Sequence, residues 1–363
     1  MNAMLLRSPR PAEKSPLEPT ELPKPEPGAE EILLHVRACG VCHTDLHTVE
    51  GEIADHLPIV PGHQIVGVVE KTGADAKAVR VGDRIGVPWL HRTCGLCKFC
   101  RSERENLCEQ AQFTGFHVNG GYAEYTVATA AFAVKIPDRF DDAHAAPLLC
   151  AGIVGFRALR LALGREGEAL AEPSPSAARR EVHSPESAAR WDSRPYRNTT
   201  LGLYGFGASG HIVIQIAVHW GCEVFVATRG ADHQRLAKEL GAAWVGRAED
   251  VPGGSLDSAI IFAPAGKLVP ETLRALRKGG TLALGGIYMT PIPEMKYELL
   301  YDERIVRSVT NATRDDARQF FQIAGRVPVR TQVETFPLQE ANRALLALKR
   351  SEIHGAAVLM IGD

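Results

Sequence analysis

No run of apolar residues in this 363-residue chain approaches the roughly 20 that a membrane span requires. Charge of one sign is not in excess either, since 41 basic and 43 acidic side chains leave a formal net charge of −2. Nucleic acid or an anionic membrane as dominant partner would favour a basic surface, so neither is expected. The opening MNAMLLRSPRPAEKSP sets only Leu5 and Leu6 together before Arg7 and the prolines. That is no apolar core of a secretory signal, and a cytoplasmic address is the expectation. No internal repeat is visible. The chain is long enough for about two domains, each able to bury a core without disulfide staples.

Eight cysteines are present, and their placement is more informative than their number. Cys94, Cys97, Cys100 and Cys108 crowd into one short lobe, whereas Cys39, Cys42, Cys150 and Cys222 are scattered. In a reducing compartment such a cluster holds metal more readily than it forms disulfides. Four soft sulfur donors suit a closed tetrahedral Zn²⁺ site, which leaves no position for substrate and therefore stabilises rather than catalyses. An iron–sulfur cluster also takes four cysteines and is the alternative.

The texture of the chain changes along its length. Up to about residue 135, β-branched runs at 31–36, 65–71 and 122–127 are punctuated by Gly, Pro and Asp, as in a loop-rich β domain. From about residue 201, strand-like runs alternate with helix-length segments, which predicts parallel βαβ units, with further strands at 258–262, 281–285 and 304–309. The last fifty residues read as helix 315–323, strand 331–336, helix 339–349 and strand 355–361. Residues 164–198 fit neither texture: four prolines and six arginines accompany only Leu170 and Val182 as aliphatic residues larger than alanine. So little apolar surface does not offset the entropy of ordering, and an exposed insertion is expected there. A partner-binding loop and an out-of-frame stretch are the other readings of this segment.

The segment Leu201-Gly-Leu-Tyr-Gly205-Phe-Gly207-Ala-Ser-Gly210 is a strand running into Gly-x-Gly-x-x-Gly and then a helix. In that context the glycines allow a tight turn, close approach of a pyrophosphate and tight helix–strand packing. The end of the next strand, Val226-Ala227-Thr228-Arg229, carries no acid for ribose hydroxyls but a hydroxyl and a guanidinium suited to a 2′-phosphate. NADP is therefore favoured over NAD.

The segments Gly40-Val41-Cys42-His43-Thr44-Asp45, Pro61-Gly62-His63 and Leu149-Cys150-Ala151-Gly152 stand in order with the four-cysteine lobe and the glycine motif. On these motifs the chain resembles the zinc-dependent alcohol dehydrogenases of the medium-chain dehydrogenase/reductase superfamily, over nearly its whole length except the insertion. The resemblance implies a GroES-like β-rich catalytic domain at 1–155, with its structural zinc lobe at about 94–108. It implies a Rossmann domain with a doubly wound parallel sheet at 156–310, a C-terminal return to the catalytic domain at 311–363, and a cleft holding zinc, nicotinamide and substrate. It assigns a catalytic zinc to Cys42, His63 and Cys150, whose three donors leave a fourth position open, and so two zinc ions per chain.

The resemblance further makes Thr44 and His47 a proton relay, places His43 near the cofactor pyrophosphate, and has Asp45 orient His63 from behind. A surface imidazole without a role is the plain alternative for His47. Most relatives carry glutamate where this chain has Gln64, and loss of that charge near the metal is expected to alter zinc lability while activity is retained. Ala263 is expected beside the adenosine and nicotinamide ribose, and Gly285, Gly286 and Ile287, after the fifth strand, near the nicotinamide, ordinary loop glycines being the alternative. Trp89 matches a position that lines the substrate pocket, a core role being the alternative, and Val154, in the segment after Cys150, is expected to line the cleft.

With no charged group expected at the substrate, interconversion of primary alcohols and aldehydes by hydride transfer to or from NAD(P) is the leading expectation. Polyol dehydrogenases and bulky allylic or aromatic alcohol dehydrogenases of the same superfamily are the alternatives, and a noncatalytic zinc- and nucleotide-binding scaffold is the rival of a different class. The resemblance also implies a homodimer or homotetramer. Cys39 and Cys222 are left as small buried side chains.

Overall fold

The computed structural model describes residues 1–53, 56–164 and 196–362. Of the expected insertion at 164–198, residues 165–195 lie outside the described residues. The chain forms two compact units, one made of Met1–Gly155 with Thr310–Asp363 and the other of Phe156–Val309. Among the described residues no single helix is long and apolar enough to cross a membrane.

The first unit is built on the long strand Glu31–Val41, where eight of eleven residues are buried and both edges are occupied. Gln64–Thr72 pairs antiparallel along one edge. The other edge is shared: Tyr125–Thr129 covers residues 31–35, and the C-terminal strand Ala356–Met360 covers residues 38–41. Arg84–Val87 and Val134–Lys135 extend the sheet on one side, and Val333–Pro337 on the other, in parallel with Ala356–Met360. The C-terminal strands thus complete the sheet that Glu31–Val41 centres, over a core that includes Leu34, Val36, Ile65, Ile85 and Leu359, each at most 1% exposed. The strand expected at 122–127 begins later, at Tyr125. The preceding backbone is diverted to the loop before His63, with Gly120 N–H donating to Val60 O at 2.7 Å and Tyr122 N–H to Pro61 O at 3.0 Å.

The second unit is a six-stranded, fully parallel sheet. Its spatial order is Trp244–Gly246, Glu223–Ala227, Thr200–Tyr204, Leu256–Ile261, Leu276–Leu284 and Ile305–Ser308. Counted in chain order this is 3-2-1-4-5-6, the doubly wound dinucleotide-binding arrangement, in which the order reverses at the first strand. Helices Ala208–His219, Ala231–Glu239 and Leu268–Ala275 carry the chain between strands. The central strand Thr200–Tyr204 is buried at every position, as expected where helices cover both faces of a parallel sheet.

Candidate active site and metal centres

Cys42 ends the long central strand's run and caps helix His43–Glu50. Its extended backbone lets the sulfur accept from Thr44 N–H at 3.3 Å, while Asp45 closes a reciprocal capping box by accepting from Cys42 N–H at 3.0 Å. A thiolate placed at a helix N-terminus is favoured by the unsatisfied N–H groups there. His63, 1% exposed, directly precedes the strand Gln64–Thr72. Its Nε2 lies 3.3 Å from Cys42 Sγ, and its Nδ1 lies 3.3 Å from Asp45 Oδ1, which also accepts from Gly62 N–H at 3.1 Å. One buried carboxylate therefore fixes both the imidazole and the turn carrying it. Gly62 must be glycine, because its φ is +96° and a Cβ would sit 2.3 Å from the Tyr122 ring.

Cys150 interrupts the passage from the short helical turn Ala146–Leu149 into helix Ala151–Ala162, with φ −128° and ψ −69°. The break turns its sulfur toward the other two donors: the ligand atoms of Cys42, His63 and Cys150 all lie within 4.8 Å of one another. Tetrahedral bonds of ordinary length to zinc would separate a sulfur and an imidazole nitrogen by about 3.5 Å, close to the 3.3 Å between Cys42 and His63. The Cys42 thiol is pushed well above its usual range by its hydrogen bond with Cys150 and by burial. A buried cation relieves that crowding of donors, so the set fits a divalent metal with an open position.

The four-cysteine lobe passes a sharper test. Its sulfurs are separated by 3.6 Å between Cys97 and Cys100, 3.6 Å between Cys108 and Cys94, and 3.9 Å between Cys94 and Cys100. Four sulfurs bound to zinc at about 2.3 Å would stand about 3.8 Å apart. Two chain N–H groups already face sulfur, Cys97 N to Cys94 Sγ at 3.3 Å and Cys100 N to Cys97 Sγ at 3.5 Å. Backbone N–H groups of Leu96 and Cys97 hold the Cys94 thiol down to about 6, whereas burial pushes the Cys108 thiol up to about 11, a cost that a cation among the four sulfurs would offset. Cys39 and Cys222 are buried and belong to neither set of donors, Cys39 packing beside Gly62.

Thr44 and His47 lie three residues apart on helix His43–Glu50, on one face. Thr44 is buried, whereas His47 is partly exposed and its Nδ1 contacts the surface carboxylate of Glu52. His43 is exposed, its ring 6.3 Å from that of His47. Gln64 is buried and stands opposite Gly40 in the ladder.

A cavity of about 360 Å³, solvent-continuous space included, opens beside Cys150. Trp89 and Val154 line it together with Phe132, Asn311 and Arg314. Trp89 stacks on Phe113 with ring centroids 4.3 Å apart and lies 6.0 Å from the His63 ring. The stretch 311–317, which supplies one wall, carries no catalytic motif, and the sequence reading had no reason to bring it here. Its only local signature is the capping box Thr313 to Asp316 that opens helix Arg314–Ala324.

In the second unit the glycine motif connects strand Thr200–Tyr204 to helix Ala208–His219. Gly205 has φ +92°, and a Cβ there would lie 2.9 Å from Ala263 N, so the motif and the end of the fourth strand are in close contact. Gly207 is the N-cap of the helix, and Gly210 lies in its first turn. Thr228 and Arg229 follow strand Glu223–Ala227, and Gly285, Gly286 and Ile287 follow strand Leu276–Leu284. All are at carboxyl ends of parallel strands, where ligands of such sheets bind. Arg229 is exposed, and Thr228 N–H donates to Gly246 O at 2.9 Å.

Comparison with known proteins adds to this geometry. Residues 28–138 match the alcohol dehydrogenase GroES-like domain and residues 208–325 the zinc-binding dehydrogenase domain. The chain is 43% identical to a Mycobacterium tuberculosis protein named "Probable alcohol dehydrogenase AdhA", over 99% of this chain and 97% of that one. It is 33% identical to an alcohol dehydrogenase of Geobacillus stearothermophilus, over 96% and 97% of the two chains. Its fold superposes on the alcohol dehydrogenase of the archaeon Aeropyrum pernix with a TM-score of 0.81 at 24% identity, covering 99% of this chain and all of the other.

Proposed function

Because the chain belongs to the zinc-type alcohol dehydrogenases of the medium-chain dehydrogenase/reductase superfamily, we propose that it interconverts primary alcohols and aldehydes with a nicotinamide dinucleotide as hydride carrier. The observation that carries this reading is the convergence of Cys42, His63 and Cys150 beside a cavity lined by Trp89 and Val154. Zinc held by these three residues would supply a Lewis acid for the substrate oxygen, and a second zinc held by Cys94, Cys97, Cys100 and Cys108 would brace the lobe. A nicotinamide dinucleotide seated over Gly205, Gly207 and Gly210 would supply the hydride acceptor or donor.

The protein's own groups handle the proton and the geometry. Thr44 Oγ1 receives the hydroxyl proton in the buried site as it releases its own, and His47, three residues along the same helix and partnered by Glu52, passes a proton on to solvent. Asp45 holds His63 in one orientation and one tautomer through Nδ1. His43, at the first turn of the same helix, is available for the cofactor pyrophosphate.

Thr228 and Arg229 favour NADP, with Arg247 exposed at the end of the neighbouring strand Trp244–Gly246. Ala263, Gly286 and Ile287 would flank the nicotinamide end. The edge strand Ile305–Ser308, with Ile305, Tyr297 and Tyr301 exposed, supports assembly into a homodimer or homotetramer. A thiol-rich metal lobe is consistent with a reducing, cytoplasmic setting.

The test is NAD(P)H oxidation across a panel of aldehydes, with and without a strong chelator, alongside metal analysis. Chelator-sensitive turnover and two zinc ions per chain are expected. Absence of turnover in a protein retaining its metal would favour a noncatalytic scaffold instead.

A further inference from the structure

The cavity beside Cys150 contains two polar groups that no group among the described residues satisfies. The side-chain Nδ2 of Asn311 and the indole Nε1 of Trp89 are both buried without a hydrogen-bond partner. Both are N–H donors. Of the other polar wall groups, Thr313 Oγ1 donates to Asp316 Oδ2 at 2.8 Å, and Arg314 Nε donates to Glu105 at 3.1 Å while its half-exposed guanidinium, itself a donor, lies 4.8 Å over the Phe132 ring. The cavity therefore offers donors and asks for an acceptor.

Asn311 is also held in place. It occupies the left-handed region with φ +51°, which asparagine tolerates better than most side chains. On one side Asn106 Nδ2 donates to Thr310 O at 2.7 Å, and on the other Arg314 N–H donates to Glu105 Oε1 at 3.0 Å. A pinned amide with an idle donor is a recognition element rather than a loop residue.

We propose that Asn311 determines specificity by donating, with Trp89 Nε1 beside it, to an oxygen on the tail of the substrate. The preferred substrates are then alcohols and aldehydes bearing an ether, carbonyl or second hydroxyl oxygen a few atoms from the reacting carbon, rather than plain alkyl ones. This deepens the dehydrogenase reading above and rests on it. A wholly apolar tail leaves two buried donors unpaired, and a site built to hydrogen-bond rejects such an analogue.

The experiment compares 2-methoxyethanol with 1-butanol, chains of equal length that differ by one oxygen for one methylene, in the zinc-loaded enzyme. The ratio of their kcat/KM values is measured for the wild type, N311D and N311G. Both replacements tolerate the left-handed backbone; the first turns the donor into an acceptor and the second removes it. The wild type is expected to prefer the ether alcohol by about tenfold, N311G to lose that preference and N311D to reverse it. The dissociation constant of NADPH, read by its fluorescence, is measured on the same three proteins. Equal slowing of both alcohols together with weaker NADPH binding would place Asn311 at the cofactor and overturn the proposal, as would a ratio that none of the variants changes. No turnover of either alcohol by the wild type would instead overturn the dehydrogenase reading, and the subsite with it.

Discussion

His211 should make the nucleotide-binding unit acid-sensitive in a way that one substitution removes. The residue follows Gly210 in the first turn of helix Ala208–His219 and is 1% exposed. Its Nδ1 contacts Gly207 O at 3.1 Å, so that nitrogen carries the proton, while Nε2 is buried with no partner among the described residues. Burial, against the opposing pull of the Gly207 carbonyl and with a small contribution from His233, lowers its pKa from 6.5 to about 4. The unfolded chain therefore binds a proton near pH 6.5 that the folded chain refuses until about pH 4. Stability from this group is complete above 6.5 and is lost as the pH falls toward 4. At about 1.36 kcal/mol per pKa unit the loss reaches about 2.5 kcal/mol at pH 4.5. In H211N the amide can keep the bond to Gly207 O without titrating, at the cost of some packing at pH 7. Melting curves of both proteins at pH 7.5 and pH 4.5 give the answer, because groups common to the two cancel in the difference. The wild type should lose about 2.5 kcal/mol more than H211N on acidification, or roughly 5 to 10 °C in the melting of this unit. Parallel losses in the two proteins would refute the assignment of a buried neutral imidazole.

Replacing Cys97 by serine removes a sulfur while leaving a hydroxyl able to cap helix Lys98–Arg101; zinc content should fall from two to one per chain, with more than about 3 kcal/mol of lobe stability lost. Retention of two zinc ions would show that the four sulfurs are not a single site. Arg229→Asp introduces an acid at the end of strand Glu223–Ala227 and should lower the ratio of kcat/KM for NADPH over NADH by at least about tenfold. An unaltered ratio would mean that Arg229 faces solvent. Gln64→Glu puts a negative charge on the residue that follows His63 and should change the zinc off-rate measured with a chromogenic chelator. The idea fails if neither that rate nor turnover moves.

What was legible in the sequence was whatever is local in the chain. The glycine motif reads as strand, turn and helix because all its parts lie within about three turns of one another, and the structure forms them at Thr200–Tyr204 and Ala208–His219. The metal lobe is equally local, with three of its four cysteines inside seven residues. Cys42, His63 and Cys150 are 108 residues apart end to end, and composition or spacing alone would have left Cys150 as a core side chain. A family resemblance brought them together on paper; in the structure it is the ladder between Glu31–Val41 and Gln64–Thr72, with the Asp45 carboxylate gripping Gly62 and His63, that does so. Tyr122 was misplaced into a strand for a related reason: its alternating apolar neighbours have strand periodicity, but its ring fills the space left by Gly62.

The wall formed by residues 311–317 was illegible because nothing near it in sequence explains why it is there. The explanation lies some 200 residues upstream, between the third and fourth cysteines of the lobe. Glu105 is only 4% exposed, an expensive position for a carboxylate, and Arg314 answers it twice, through the main chain and through Nε. Asn106 secures Thr310 in the same way. The lobe is therefore more than a brace for its own loop: it clamps both ends of the segment that presents Asn311 to the cavity. If that is so, Glu105→Gln, which keeps a hydrogen bond to Arg314 but removes the charge, should leave both zinc ions bound while weakening discrimination between 2-methoxyethanol and 1-butanol by a few-fold. Metal content and the kcat/KM ratio, measured on the same preparation, separate this from simple loss of the lobe. Full discrimination with a normal zinc count would show that the clamp is dispensable and that the backbone at 310–314 holds Asn311 unaided.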